Sequence, residues 1–351
     1  MASHRGIGQA HLAACLFGLT TPLAKGLVGQ CSPHILAGLF YGGSGLGLTL
    51  WGILRRQKAA SAEAALQRQD WPWLAGAILF GGIIGPVLLL TGLSLTSASS
   101  ASLLLNLEGV FTALLAWVVF RENVDGRIAL GMGLIVLGGA AFAWDSQLTW
   151  AGLAGPLAIA AACLCWAVDN NLTQKVSAAD PVQIAAIKGL VAGLVNLGLG
   201  FWLGAALPAP APVIAAMALG FVGYGLSLVL FILALRSLGT ARTGAYFSLA
   251  PFIGAGASLL LWREPVTPAF LGAAALMTAG IWLHVTERHG HLHTHDSLAH
   301  AHRHSHDEHH QHDHTGDDPP GEPHTHPHVH QHLVHRHPHF PDVHHRHEHG
   351  D

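Results

Sequence analysis

SLTSASSASLLLNLEGVFTALLAWVVFRE (residues 94–122) and RSLGTARTGAYFSLAPFIGAGASLLLWRE (residues 236–264) are two versions of one segment, and both end in Arg-Glu. Leu93, Leu107, Arg121 and Glu122 recur 142 residues later as Leu235, Leu249, Arg263 and Glu264. A second match lies upstream, where AACL at residues 13–16 returns at 161–164 and Pro33 returns as Pro181, both 148 residues on. The chain is therefore an internal duplication of apolar segments. Duplicated halves of this kind are the usual build of secondary transporters, whose solute site lies between the repeats.

The composition agrees. Half of the 351 residues are hydrophobic (51%) and only 11% are charged, against roughly a quarter charged in soluble domains. Ten apolar stretches approach the ~20 residues needed to cross a bilayer: 7–28, 33–54, 71–93, 98–120, 126–144, 150–172, 181–203, 213–235, 240–262 and 266–286. Five spans per half is an odd number, so the second half enters the membrane from the opposite side. The expected fold is an all-α integral membrane protein of ten transmembrane helices in two inverted five-helix repeats, residues 1–145 and 146–287, followed by a tail, 288–351.

Short-loop charges set the orientation. With the N-terminus inside, the inner face collects Arg5, Arg55, Arg56, Lys58, Arg68, Arg121, Arg127, Lys175, Arg236, Arg242 and Arg288, and the outer face only Lys25 and Arg263. Both termini are then cytoplasmic, in a bacterial-type inner membrane. The inner loop 55–70 is read as a short surface helix and ALPAPAP (206–212) as a stiff outer connector. Cys15, Cys31, Cys163 and Cys165 form no disulfide framework; three lie inside apolar runs. The first apolar run lacks a small-x-small cleavage site and is read as a retained helix.

An inverted five-plus-five repeat whose helix ends in Arg-Glu resembles the EamA branch of the drug/metabolite transporter superfamily over residues 7–286. The carriers are SLAPF (248–252) with Arg263-Glu264 and Gly272, NLEGVF (106–111) with Arg121-Glu122 and Gly131, and ALRSLGTA (234–241). The resemblance implies movement of small metabolites, amino acids or drugs by alternating access. The second copy holds the family's proline as Pro251, whereas the first has Glu108-Gly109 there.

Glu108 lies ten residues into its span, near the midplane, where a charge costs about 2.5–3.5 kcal/mol on insertion scales and faces a bundle interior or a wet cavity. A carboxyl there is a candidate proton carrier; the competing reading is a neutral acid bonded to a neighbouring helix. Asn106 belongs to the same motif. Asp169, about a turn from the inner end of the sixth span, and Lys188, about two turns into the seventh, lie at similar depth and could pair as a gate or a structural tie. Asn170 aligns with Pro22 at the 148-residue offset, so both halves carry a helix-disturbing residue at one position. The solute or coupling set is thus Glu108, Asn106, Asp169, Asn170, Lys188, Pro22 and Pro251. Gly-rich runs at 37–47 and 189–193 are read as close helix packing. Trp51, Trp71, Trp73, Trp144, Trp150 and Trp262 are read as interfacial anchors.

The tail is of another kind: 24 histidines stand in residues 289–351, interleaved with Asp, Glu, Pro and Thr. It is expected to be unordered without a ligand. Neutral imidazoles suit Zn, Ni, Co and Cu, with His289, His291, His293, His295, His300, His302, His304, His306, His324, His326, His328 and His330 as ligand candidates. No cofactor is required by the membrane part, and divalent transition metal is expected only on the tail. No H-E-x-x-H and no phosphate-binding Gly-rich loop with a following Lys-Ser or Lys-Thr is present, so an enzyme is not expected.

The expected function is secondary active transport, as export, of a small solute. The alternatives are a transition-metal exporter fed by the tail and a membrane metal sensor that moves nothing. Expected partners are the solute, the bilayer, transition-metal ions and a second copy as a homodimer, with no nucleic acid. The orientation is tested with cysteine substitutions: an impermeant reagent applied to intact cells should label Ala209→Cys and leave Ala62→Cys unlabelled, and the reverse pattern would place the tail outside.

Overall fold

The computed structural model describes residues 2–56, 63–120, 126–145, 150–285, 292–295, 298–304, 324–330 and 333–336. Within them the membrane part is helical throughout, as backbone amides surrounded by lipid must be satisfied within their own segment. Helices α1 (Ala2–Gly18), α2 (Thr20–Lys25), α3 (Pro33–Arg56), α4 (Trp71–Ala77), α5 (Gly85–Leu95), α6 (Ala98–Leu104), α7 (Leu107–Phe120) and α8 (Gly126–Asp145) form the first half. The second comprises α9 (Trp150–Val176), α10 (Pro181–Trp202), α11 (Pro210–Gly220), α12 (Ser227–Phe247), α13 (Ala250–Trp262) and α14 (Pro268–Val285). Seven helical segments are long and apolar enough to span a membrane, and three shorter apolar helices lie at 129–141, 250–262 and 268–283.

Helix pairing obeys the duplication. Each helix of one half corresponds to the one five spans later, so the packing of α1 on α12 should reappear as α9 on α5, and it does. Three further pairs map onto themselves: α3 on α10, α8 on α14, and α6 on α13. The duplication also appears inside two spans. A π-helical segment, Ile78–Ile84, interrupts the rod between α4 and α5, and another, Phe221–Leu226, interrupts α11 and α12 at the 142-residue offset. Single π turns release a backbone carbonyl from its usual partner and cluster at functional sites.

Glycines let α3 and α10 approach to backbone contact. A Cβ added at Gly193 would lie 2.6 Å from Gly42 N, and one added at Gly38 would lie 2.8 Å from Leu197 N. The Gly-rich runs are therefore packing surfaces, as read from their spacing.

Ties between the halves stand at both ends. At one end Glu264 accepts hydrogen bonds from the backbone N–H of Ala98 (2.8 Å) and Ser99 (2.9 Å), capping α6 from the other repeat. Trp262 Nε1 also crosses between the halves, donating to Pro22 O (2.9 Å), while Lys25 Nζ braces the same end within the first half through the carbonyls of Leu93 and Thr96, both at 2.6 Å. At the opposite end Arg236 pairs with Glu63 (2.9 Å) and donates to the carbonyls of Ser177 and Ala179. The second copy of Arg-Glu thus closes a contact between repeats; Arg121-Glu122 lies outside the described residues.

Three expectations are corrected. The loop 55–70 is not a surface helix over its described part, because residues 63–67 carry no regular structure and only Arg68–Asp70 makes a 3₁₀ turn. Ala64 O accepts from Asp180 N (2.8 Å) and Gln183 Oε1 from Leu66 N (3.3 Å), which hold this stretch extended against α10. The break expected between the eighth and ninth spans is also absent, since α12 continues to Phe247. In the first half Ser97 stops the preceding helix by accepting from Ser100 N as an N-cap; the second half has Gly239 there, with no side chain to cap. Finally, parts of the tail pair as strands where an unordered segment is expected. β1 (Leu292–His295) lies antiparallel to β4 (Leu333–Arg336), and β2 (Leu298–His304) to β3 (His324–His330). Histidine at every second residue also has the strand period.

Because the α3–α10 seam has no room for a side chain, Gly193→Val should destabilise the protein by about 1–3 kcal/mol through overpacking. Thermal unfolding in detergent measures it; Gly198→Ala, which has open space around its added Cβ, should change little.

Candidate functional site

Asp169 and Lys188 meet. The structure extends α9 to Val176, so Asp169 sits seven residues from its end, nearer two turns than the one expected, and Lys188 lies seven residues past Pro181 at the start of α10. Similar depth on consecutive helices, both packed against the π segment Ile78–Ile84, brings Lys188 Nζ onto Asp169 Oδ2. Thr173, one turn along α9, donates to Asp169 Oδ1 (2.9 Å). Both charges are almost wholly removed from solvent, Asp169 at 6% exposure and Lys188 at 1%, which is tolerable because each has the other.

The neighbouring Asn170 reaches the other half of the protein. Its Nδ2 donates to Glu108 Oε1 at 2.7 Å. Glu108 occupies the first turn of α7, just after the irregular turn at Leu105–Asn106 that separates α6 from α7. The contact from Glu108 to Asn170 thus joins the two repeats at a wall of a cavity of about 60 Å³, room for roughly four or five waters.

Glu108, Asp169, Asn170 and Lys188, four of the seven residues expected at the site, line this cavity. The other three lie elsewhere. Asn106 is buried, donating to Leu103 O (3.0 Å) and toward Met277 Sδ (3.7 Å). Pro22 is buried in α2, its carbonyl taken by Trp262, and Pro251 begins α13. Of the expected tail ligands, His293 and His295 fall on β1, His300, His302 and His304 on β2, and His324, His326, His328 and His330 on β3. His289, His291 and His306 lie outside the described residues. Among the described side chains no group of three His, Cys, Asp or Glu gathers as a metal site.

The sequence reading missed the aromatic wall. Phe17, Tyr41, Trp166, Tyr224, Phe231 and Phe247 also line the cavity. Phe17 packs edge-on against Trp166 and Tyr224, each with centroids 5.8 Å apart, and Tyr41 lies 5.2 Å from Tyr224. It missed the π segments too. Gly81 O, in the first of them, accepts from Tyr41 Oη (2.6 Å) and Trp166 Nε1 (3.0 Å), and Gly82 O accepts from Asn196 Nδ2 (3.0 Å). The usable signal was Gly81 recurring as Gly223 at the repeat offset, each beside another glycine or one residue from it.

The cavity between the repeats is thus walled by aromatic rings and holds one carboxyl group and one ion pair. Comparison with known proteins agrees. Residues 4–143 and 153–286 each match the EamA-like transporter family. An uncharacterized transporter of Methanothermobacter thermautotrophicus is 28% identical over 287 residues, 77% of this chain and 83% of that one. An uncharacterized transporter of Synechocystis sp. is 27% identical over 201 residues, 52% of this chain and 59% of the relative. A solved crystal structure at 18% identity superposes with a TM-score of 0.62 over 81% of this chain and 96% of its own, a likeness of fold. The chain is a multi-pass membrane protein that belongs to the EamA-like transporter family.

Proposed function

We propose that the protein is a secondary active exporter of a small solute, working by alternating access around the cavity between its repeats, with both termini in the cytoplasm of a bacterial-type cell. The observation that carries this reading is the Glu108–Asn170 contact, which joins the two halves at the cavity and places a titratable carboxyl there. Glu108 is the coupling group. A carboxyl that exchanges a proton with either side changes the charge of the site, and only an interaction that differs between two states can drive the change between them. Asp169–Lys188 is the gate or tie beside it: breaking it would leave a buried charge alone, at a cost of about 3–5 kcal/mol, so the pair moves as a unit or stays.

The ties at the two ends are the contacts that alternate. Glu264 holding the start of α6 and Trp262 holding Pro22 close one face, and Arg236 with Glu63 braces the other. A transporter must release one set while keeping the other.

The tail supports an accessory reading. Backbone register aligns His300 with His328, His302 with His326 and His304 with His324, so the histidines recur at facing positions, an arrangement that fits capture of Zn, Ni, Co or Cu. A tethered ligand set near the inner mouth raises local metal concentration; metal as cargo or as a sensed signal rests on this tail alone.

In proteoliposomes, Glu108→Gln should insert normally and abolish proton-driven flux, because the amide keeps size and hydrogen bonding and loses the proton. Full coupled flux in that variant would remove Glu108 from the mechanism. Deleting residues 289–351 should leave a folded protein that still moves an organic solute. Metal titration of the full chain and the truncated one should then show tight Zn, Ni, Co or Cu binding only in the former; equal binding by both would end the accessory-tail reading.

A further inference from the structure

We infer that the head group this cavity takes is a monovalent ammonium on a molecule with no carboxylate. The inference rests on the cavity being the transport site and names the class of solute. Three independent features converge on it.

The first is the balance of charge. Glu108, Asp169 and Lys188 are the charged side chains on the cavity wall. Lys188 is committed to Asp169, so neither offers a free charge. Glu108 meets a neutral amide, Asn170, and no cationic side chain pairs with it among the described residues. An ionised Glu108 leaves the site one negative charge in need of a partner. A zwitterion such as an amino acid would bring a carboxylate as well, for which the site holds no uncommitted cation.

The second is the balance of hydrogen bonding. Tyr41 and Trp166 spend their polar hydrogens on Gly81 O, and Ser227 spends its hydroxyl hydrogen on Ala13 O (3.0 Å). The donors left are the Tyr224 hydroxyl, the second amide hydrogen of Asn170 and the Lys188 ammonium hydrogens not used on Asp169. Against them stand the other Glu108 oxygen, the lone pairs of Tyr41 and Ser227, and the faces of Phe17, Trp166 and Tyr224. The second Glu108 oxygen and the ring faces suit an N–H cation, and a cation within about 6 Å of such ring centroids is attracted by their quadrupoles.

The third is where the duplication fails. In the first half the π segment's carbonyls Gly81 O and Gly82 O are taken by Tyr41, Trp166 and Asn196. The equivalent residues of the second half, 142 positions on, are Gly223 and Tyr224, and both line the cavity. Where symmetry would supply their donors, at the 148-residue offset, the chain has Gly189, Gly18 and Leu48, none with a polar hydrogen on its side chain. Among the described residues no side chain donates to Gly223 O or Tyr224 O. The π segment whose carbonyls have side-chain donors keeps Gly81 and Gly82 off the cavity wall, and the one that lacks them puts Gly223 and Tyr224 on it.

Three probes with the same branched alkyl group separate the classes: isobutylamine, its zwitterionic counterpart valine, and the neutral isobutanol. With the purified full chain in lipid nanodiscs, tryptophan fluorescence should report isobutylamine binding at least about tenfold tighter than the other two, ~1.4 kcal/mol. Glu108→Gln should erase that preference. The ranking on the unmutated protein decides the matter where the variant does not fold: valine or isobutanol binding as well as the amine, or no amine binding at millimolar concentration, overturns the assignment. Flux in proteoliposomes keeps the two readings apart. Transport of valine or isobutanol without the amine would preserve transport and overturn the head group, whereas amine binding with no flux of any probe would preserve the head group and overturn transport.

Discussion

A lysine and an aspartate placed mid-helix in a membrane must find each other, because either alone would be an unpaired charge in a medium that cannot solvate it. Much of the centre of this protein follows from that requirement. Asp169 and Lys188 stand at similar depth on α9 and α10, and the carboxylate needs space beside the oxygen that meets the lysine. Gly81 provides it, since a Cβ at that position would overlap the Asp169 carboxylate itself. The backbone that carries Gly81 is π-helical, and its carbonyls hold Tyr41 and Trp166 in place. One ion pair thus fixes a glycine, a distorted turn and two of the rings that wall the cavity.

The second organising fact is a two-fold relation that is kept in the packing and broken in the chemistry. Helix pairs exchange or map onto themselves, and the π segments fall at matched positions. The site does not repeat: Glu108 and Asn170 correspond to Ala250 and Pro22, a pair with no titratable group. The packing keeps the two-fold relation, and Glu108 has no titratable counterpart in the second half.

Charges are conspicuous in an apolar sequence, and this drew attention to Glu108, Asp169 and Lys188, whereas Asn170 was reached through its repeat partner Pro22. The duplication, the spans and the glycine seam of α3 with α10 were legible for a similar reason, as each leaves a spacing in the chain. Phe17, Tyr41, Trp166 and Tyr224 were not, because an aromatic residue in an apolar helix reads the same whether it faces core, lipid or cavity. The π segments were hidden too, since one extra residue per turn changes hydrogen bonding without changing composition. Asn106 and Pro22 drew attention by type and position, yet their polar atoms are taken up by Leu103, Met277 and Trp262. The uninterrupted α12 escaped notice because its cause is a missing cap, Gly239 where the first half has Ser97.

The central claim is that the cavity between the repeats is reached from both sides of the membrane in turn. Ser227 lies on its wall, and cysteine is nearly its size. In a protein with Cys15, Cys31, Cys163 and Cys165 replaced, Ser227→Cys should react with an impermeant thiol reagent added to either face of oriented vesicles, and a transported solute should slow both reactions. Reaction from one face only, whatever the driving gradient, would contradict the account.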